Sequence, residues 1–226
     1  MTNGAPPRRG ACAERTIPEP TPGALEGEAG GRPDYSRAVV AEIDRGFAHL
    51  ALRILSGVGS TGYIADASDG QYTFGERAAD DVVAPAPEVV VIAGGINDAG
   101  LSSAAITAAV TSLLETIRTG LPLVPIFVLG AWPGNSGPSA NILAAEEAIA
   151  DGVEDFGDDL TFFIPVSTEP TGAWMSGTGR VGSTTGTGNS DVYTDGSAPP
   201  HPNNAGHEFL GRRLAQAIRE ILPLIA

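Results

Sequence analysis

The stretch Glu88–Asp98, EVVVIAGGIND, joins an apolar run to a polar turn. Val89, Val90, Val91 and Ile92 follow one another without a polar interruption. Four consecutive β-branched residues predict a strand buried on both faces, as in a parallel sheet. Gly94 and Gly95 come next, and glycine allows backbone geometries and close approaches barred to other residues. Asn97 and Asp98 then stand at the carboxyl end of the strand, where open α/β sheets bind ligands. Two local readings are open. The Asn97 amide can donate to a developing oxyanion, a contact typically worth about 3–4 kcal/mol of barrier. Alternatively, this is only a strand-to-helix turn, with Asp98 or Ser102 capping the helix that follows.

Working outward, apolar spacing predicts a helix over 103–119 stopped by Gly120, and a buried strand over 123–129 (LVPIFVL). Pro125 places that strand near an edge or makes it begin late. An acidic amphipathic helix is expected over 140–156, a strand over 160–166 (LTFFIPV) and a closing helix over 204–222. Between them, 168–200 is a long Gly/Ser/Thr/Pro loop that carries Trp174 and Met175; it reads as a lip over a cleft or as a surface loop. Upstream, helical spacing runs from Ser36, a candidate N-cap, to Leu52. Arg53-Ile54-Leu55 then reads as a strand entering the glycine loop GVGSTGY (57–63), and a short helix is expected around 74–82. Alternating strands and helices predict an α/β fold: a three-layer α/β/α sandwich with a mostly parallel central sheet. Residues 1–33 are rich in Pro, Gly and charge without periodicity and read as a poorly packed leader, leaving 34–226 as one domain.

Bulk properties narrow the partners. Thirteen Lys and Arg against 27 Asp and Glu give the 226-residue chain a net charge of -14. So acidic a surface repels phosphate backbones and anionic lipid, which disfavours nucleic acid and membrane surfaces as partners. No apolar run approaches the roughly 20 residues of a membrane span, and MTNGAPPRRGACAERT lacks the apolar core of a signal peptide. The expectation is a cytoplasmic protein as written, or a secreted one if its native N-terminus is missing. Cys12 is the single cysteine, so neither an internal disulfide nor a cysteine zinc site is expected.

The remaining chemistry lies in DGSAPPHPNNAGHEF, 195–209, which holds His201 and His207; the third histidine is His49. His201 sits between prolines that stiffen its loop, and Asp195 stands six residues upstream, where it could fix the imidazole tautomer. The bland reading makes Asp195 a turn residue and His201 a surface residue. His207 reads as a helix-end packing or capping residue, and spacing disfavours a metal site built from His201, His207 and Asp195.

Taken together these segments resemble the SGNH hydrolases, also called GDSL-type esterases and lipases. Gly95-Ile96-Asn97-Asp98 is similar to the family's Gly-x-Asn-Asp block, HPNNAGH (201–207) to its histidine block, and GVGSTGY to its glycine block. The resemblance covers roughly residues 45–226. It implies a flavodoxin-like α/β/α fold and hydrolysis of carboxylic esters through an acyl-serine, on a small-molecule or polymeric substrate, with no metal or organic cofactor. Asn97 and a backbone N–H near Gly59 would bind the oxyanion, with Gly95 and Asp98 shaping that side. His201 would act as base and then acid, oriented by Asp195.

Three departures stand out. The family's aspartate precedes the histidine by three residues, where this chain has Ala198. The aligned glycine position is Ser60. No Gly-Asp-Ser block occurs, and the region where it belongs reads PEPTPGALEGEAGG, without strand or serine. Ser36 and Ser60 are the remaining nucleophile candidates, and the leader takes the place of the normal first strand. A missing first strand would expose a sheet edge that a second copy of the chain could cover. The competing reading is an SGNH-like domain that binds a carbohydrate or acylated ligand without turnover.

Overall fold

A computed structural model describes residues 56–67, 72–134, 137–177, 188–195 and 201–222, all within the unit Pro33–Ala226. The expected leader, Ser36 and its helix, and the strand at 53–55 lie outside the described residues.

The EVVVI run forms strand β1, Val90–Ile92. It pairs in parallel with β2, Ile126–Leu129, which pairs in parallel with β3, Thr161–Ile164. The register sets Val91 beside Phe127 and Phe127 beside Phe162. β2 begins just after Pro125, since proline has no N–H to give a ladder. It is nevertheless the middle strand of the three, so the reading of Pro125 as an edge signal does not hold among the described residues.

Helices cover both faces of this sheet, in three layers. Helix α1, Phe74–Ala78, starts with a capping box between Thr73 and Glu76 and runs on into a π-helical turn, Ala79–Val83. Helix α2, Ser103–Gly120, is capped by Ser102, and α3, Ala140–Phe156, by Ser139. Alternate strand residues decide which face is which. Val90, Ile92, Ile126 and Val128 turn toward Ile106, Val110 and Leu114 of α2 and Ile149 of α3. Phe127, Leu129 and Ile164 turn toward the closing helix α5, Asn204–Ile221, whose Leu210, Leu214 and Ile218 repeat every four residues. Each such fully buried side chain contributes roughly 1.5–3 kcal/mol. A fourth short helix, α4, Ser190–Tyr193, precedes α5.

Gly120 has a different role from the one expected. It is the last residue of α2, with Leu121 as the cap, and a Cβ there would lie 2.2 Å from Val83 Cγ1. Contact with the π-helical turn therefore requires glycine at this position. Trp174 and Met175 are buried against the protein rather than poised as a lip, at 3% and 0% exposure. No described helix is long and apolar enough to cross a membrane.

Candidate active site

The carboxyl edge of β1 is built by contacts between the GGIND turn and the glycine loop. Gly95 is left-handed, with φ of 104°, and turns the chain into a single 3-10 turn, Ile96–Asp98. That turn buries Asp98 completely. One of its oxygens, Oδ2, accepts the Tyr63 N–H at 2.9 Å, and Oδ1 accepts those of Ile64 and Ala65 at 2.9 and 2.8 Å. Gly62 lets the loop approach this carboxylate, because a Cβ there would lie 2.2 Å from Oδ2. Asp98 is thus a clamp inside the protein and not a group that faces a ligand. Helix α2 is capped by Ser102, so the capping alternative for Asp98 is not the one used.

Asn97, by contrast, is exposed, and its Nδ2 donates to the Thr61 carbonyl at 2.9 Å. A carboxamide nitrogen carries two hydrogens, so one N–H is left for another acceptor. Gly59 and Ser60 form the exposed tip of the loop. Ser60 has φ of 64°, the left-handed conformation that glycine adopts without strain. The structure therefore brings Asn97 and Asp98, beside Gly95, onto residues 61–65 of the glycine loop, with Gly59 and Ser60 at that loop's exposed tip. Ser36 lies outside the described residues.

Tyr63 anchors the loop's far side. Its ring is buried and meets Phe74 edge-on, with centroids 5.1 Å apart. Burial first, and then the nearby Asp98 carboxylate, push the phenol well above its ordinary range, so it stays protonated.

The histidine segment is assembled separately. Thr194 and Pro202 face each other in an antiparallel bridge, which sets Asp195 and His201 side by side. The Asp195 carboxylate accepts the His201 backbone N–H at 3.1 Å, and the Asp195 N–H donates to the His201 carbonyl at 2.8 Å. Asn203 caps α5 and also donates to the Val192 and Thr194 carbonyls, tying α4 to α5. Asp195, Pro202, Asn203, Asn204 and Ala205 line an open hollow here. His207 is buried in the first turn of α5, as a packing residue would be.

Two polar residues escaped the sequence reading. Glu146 of α3 is buried, and its carboxylate accepts the N–H groups of Val166, Ser167 and Thr168 and the Thr168 hydroxyl, all within 3.1 Å. It fixes the segment leaving β3, whose Val166 carbonyl accepts the Trp174 N–H; the Trp174 carbonyl in turn accepts from Asn189, next to α4. A carboxylate on the stripe of Ile142, Ala145, Ile149 and Val153 was the available signal. The second is Arg77 of α1. Its guanidinium reaches the carbonyl and hydroxyl of Ser56, the Asp81 carboxylate and the Thr61 hydroxyl. An arginine in a short polar helix gives no such signal. Among the described residues, no group of three or more His, Cys, Asp and Glu could hold a metal ion.

No protein-family model matches the chain, and no curated protein matches it. Among solved structures, it is similar to a GDSL-like lipase from Parabacteroides merdae, at TM-score 0.55 and 17% identity, covering 81% of this chain and 80% of that one. Lower similarities include a carbohydrate esterase of family 3 from Talaromyces cellulolyticus, at TM-score 0.47, 18% identity and coverage of 69% and 70%. A family two carbohydrate esterase from Clostridium thermocellum matches at TM-score 0.41 and 22% identity, over 61% of this chain. The chain spans only 37% of that esterase's length. The likeness to the GDSL-like lipase shows the fold alone: a parallel sheet between helices.

Proposed function

We propose that the protein is a serine-type hydrolase of carboxylic esters. The observation that carries this reading is the bond from Asn97 Nδ2 to the Thr61 carbonyl at 2.9 Å. It joins an exposed amide donor to the loop of Gly59 and Ser60, the two partners an oxyanion hole of this kind needs. In this reading a serine oxygen attacks the ester carbonyl and passes its proton to the His201 imidazole. The carbonyl oxygen takes the negative charge and is held by Asn97 and a loop N–H. The alcohol leaves with the proton from His201. Water then attacks the acyl-serine, again giving a proton to His201, and the carboxylic acid is released as the serine is restored. Asp195 holds the His201 segment in place. Ser36 and Ser60 are the candidate nucleophiles.

The test is labelling with a fluorophosphonate, peptide mapping, and hydrolysis of p-nitrophenyl acetate. Labelling at one of these serines that His201→Ala abolishes supports the reading. Replacing Asn97 by Ala should then lower kcat by about 10²–10³; a loss under tenfold removes Asn97 from the oxyanion hole. The absence of a Gly-Asp-Ser block favours a second reading, a binding domain for a carbohydrate or acylated ligand without turnover. An unlabelled, inactive but folded protein would favour that reading over the first.

A further inference from the structure

We infer that Arg77 is a positioning residue for the oxyanion loop, acting from outside the site through Thr61; this rests on the ester-hydrolase reading above. Thr61 is the point where three supports of the loop meet. Its carbonyl accepts from Asn97, and its hydroxyl donates to the Val58 carbonyl at 2.9 Å. The same hydroxyl accepts from Arg77 Nη2 at 3.3 Å. The bond to Val58 closes the turn Val58–Thr61 by a side chain, and Arg77 orients the hydroxyl that closes it. The other arm of the guanidinium, Nη1, holds the start of the loop at Ser56, through the carbonyl at 3.2 Å and the hydroxyl at 2.5 Å.

Arg77 itself has little freedom. Its Nε donates to the Tyr72 carbonyl at 3.0 Å, Nη1 pairs with Asp81 at 3.3 Å, and its side chain is only 12% exposed. The guanidinium also lies over the Phe74 ring, 5.6 Å from its centroid. Phe74 in turn rests on Gly94, where a Cβ would come within 2.5 Å of the ring. One short helix thus braces both halves of the proposed oxyanion hole: the loop through Arg77 and the GGIND turn through Phe74. A planar fork with five donors can hold both ends of the loop at once, and an ammonium cannot.

The experiment compares Arg77→Met, Arg77→Lys and Thr61→Val in the full chain, with p-nitrophenyl acetate kinetics and hydrogen–deuterium exchange of the 56–67 segment. Arg77→Met should lower kcat by about 10–100-fold while KM moves less than about threefold, because a displaced donor weakens transition-state contacts. Lys should restore part of kcat. Thr61→Val, which keeps the shape and loses only the hydroxyl, should repeat the kcat loss if Arg77→Met does not fold. Exchange of 56–61 should rise in these variants while that of the 103–120 helix stays unchanged. Unchanged kcat in a folded variant, or a change in KM alone, overturns the assignment. If the parent protein has no esterase activity, the ester-hydrolase reading fails on its own account. The exchange data then decide the brace, and unaltered exchange at 56–61 in Arg77→Met overturns it.

Discussion

Replacing Asp98 by Asn tests how the site is held together. The carboxylate accepts three backbone N–H groups, at 2.8 to 2.9 Å, with no solvent contact. Asn keeps the size and one acceptor oxygen. That oxygen can still receive Ile64 and Ala65, but the Nδ2 group must then face the Tyr63 N–H, donor against donor. The substitution therefore loses one charge-assisted bond, leaves one buried N–H unsatisfied, and turns two charge-assisted bonds into neutral ones. Hydrogen bonds to charged groups contribute about 1.5–3 kcal/mol, and an orphaned buried group costs about 1–3 kcal/mol. These terms overlap, so we expect Asp98→Asn to cost about 3 kcal/mol and Asp98→Ala about 3–5 kcal/mol. At about 2–4 °C per kcal/mol for a domain of this size, the Asn variant should melt about 6–12 °C lower. Equilibrium urea unfolding, followed by tryptophan fluorescence, measures the difference. A loss under about 1 kcal/mol for Asn would show that the carboxylate does not clamp the loop. The accompanying kcat should also fall, since the clamped segment adjoins the proposed oxyanion donors.

Three further substitutions probe neighbouring parts of the same edge. Ser60→Gly relieves a left-handed serine and should leave stability unchanged or raise it by about 1 kcal/mol. A folded variant that keeps esterase activity leaves Ser36 as the candidate nucleophile, and one that loses it points to Ser60. The Tyr63 hydroxyl is buried with no hydrogen-bond partner among the described residues, so Tyr63→Phe should be neutral or stabilising by about 1 kcal/mol at pH 7. The same variant tests the phenol's raised pKa. Below 10.0, its unfolded value, the folded and unfolded phenols are both protonated and contribute nothing to the slope. Above it the unfolded state ionises and the folded one does not, so stability should fall by about 1.4 kcal/mol per pH unit. Alkaline urea titrations should show this slope reduced in Tyr63→Phe; an identical slope in both proteins refutes it. Glu146→Gln should cost about 2–3 kcal/mol in urea unfolding, because four donors to one carboxylate are left with a neutral acceptor. Unchanged stability would make Glu146 dispensable to the segment after β3.

The parts legible in the sequence are those in which a residue's own type decides its conformation. Val90–Ile92 could be read because β-branching and apolarity act within the strand itself. Helix α3 matched its expected span because Ser139 caps one end and Gly157, at φ of 63°, closes the other. Gly95 could be singled out because a glycine just after a buried strand marks a turn, and its φ of 104° is one that glycine adopts freely. The role of Asp98 could not be read in the same way. Its partners are backbone N–H groups 33 to 35 residues upstream, and nearly every residue has one. A donor that nearly every residue supplies leaves no mark on the sequence. Asp195 could be paired with His201 from the sequence, but its bond to the His201 backbone N–H could not, since that bond depends on the Thr194–Pro202 bridge and not on a fixed spacing.

The same reasoning explains why the two buried carboxylates, Asp98 and Glu146, take such different sequence contexts and yet do similar work. A parallel sheet ends its strands all at one edge, and each departing segment there exposes N–H groups that no neighbouring strand can satisfy. Water can satisfy them only where the segment is wet, which lets the loop move. A buried carboxylate with two oxygens can accept several such N–H groups at once and fix the segment without adding apolar bulk at that edge. Asp98 accepts the N–H groups of Tyr63–Ala65, in the glycine loop beside the end of β1, and Glu146 those of Val166–Thr168, which leave β3. Each needs a glycine opposite to admit its oxygens: a Cβ at Gly62 would lie 2.2 Å from Asp98, and one at Gly130 would lie 2.3 Å from Glu146. The glycine and the carboxylate therefore form one unit, and the two cannot be exchanged independently. Gly62→Ala and Asp98→Asn attack the same clamp, so their double variant should lose less stability than the sum of the two losses. Strict additivity in that cycle would separate Gly62 from Asp98 and refute the clamp as the reason for glycine at 62.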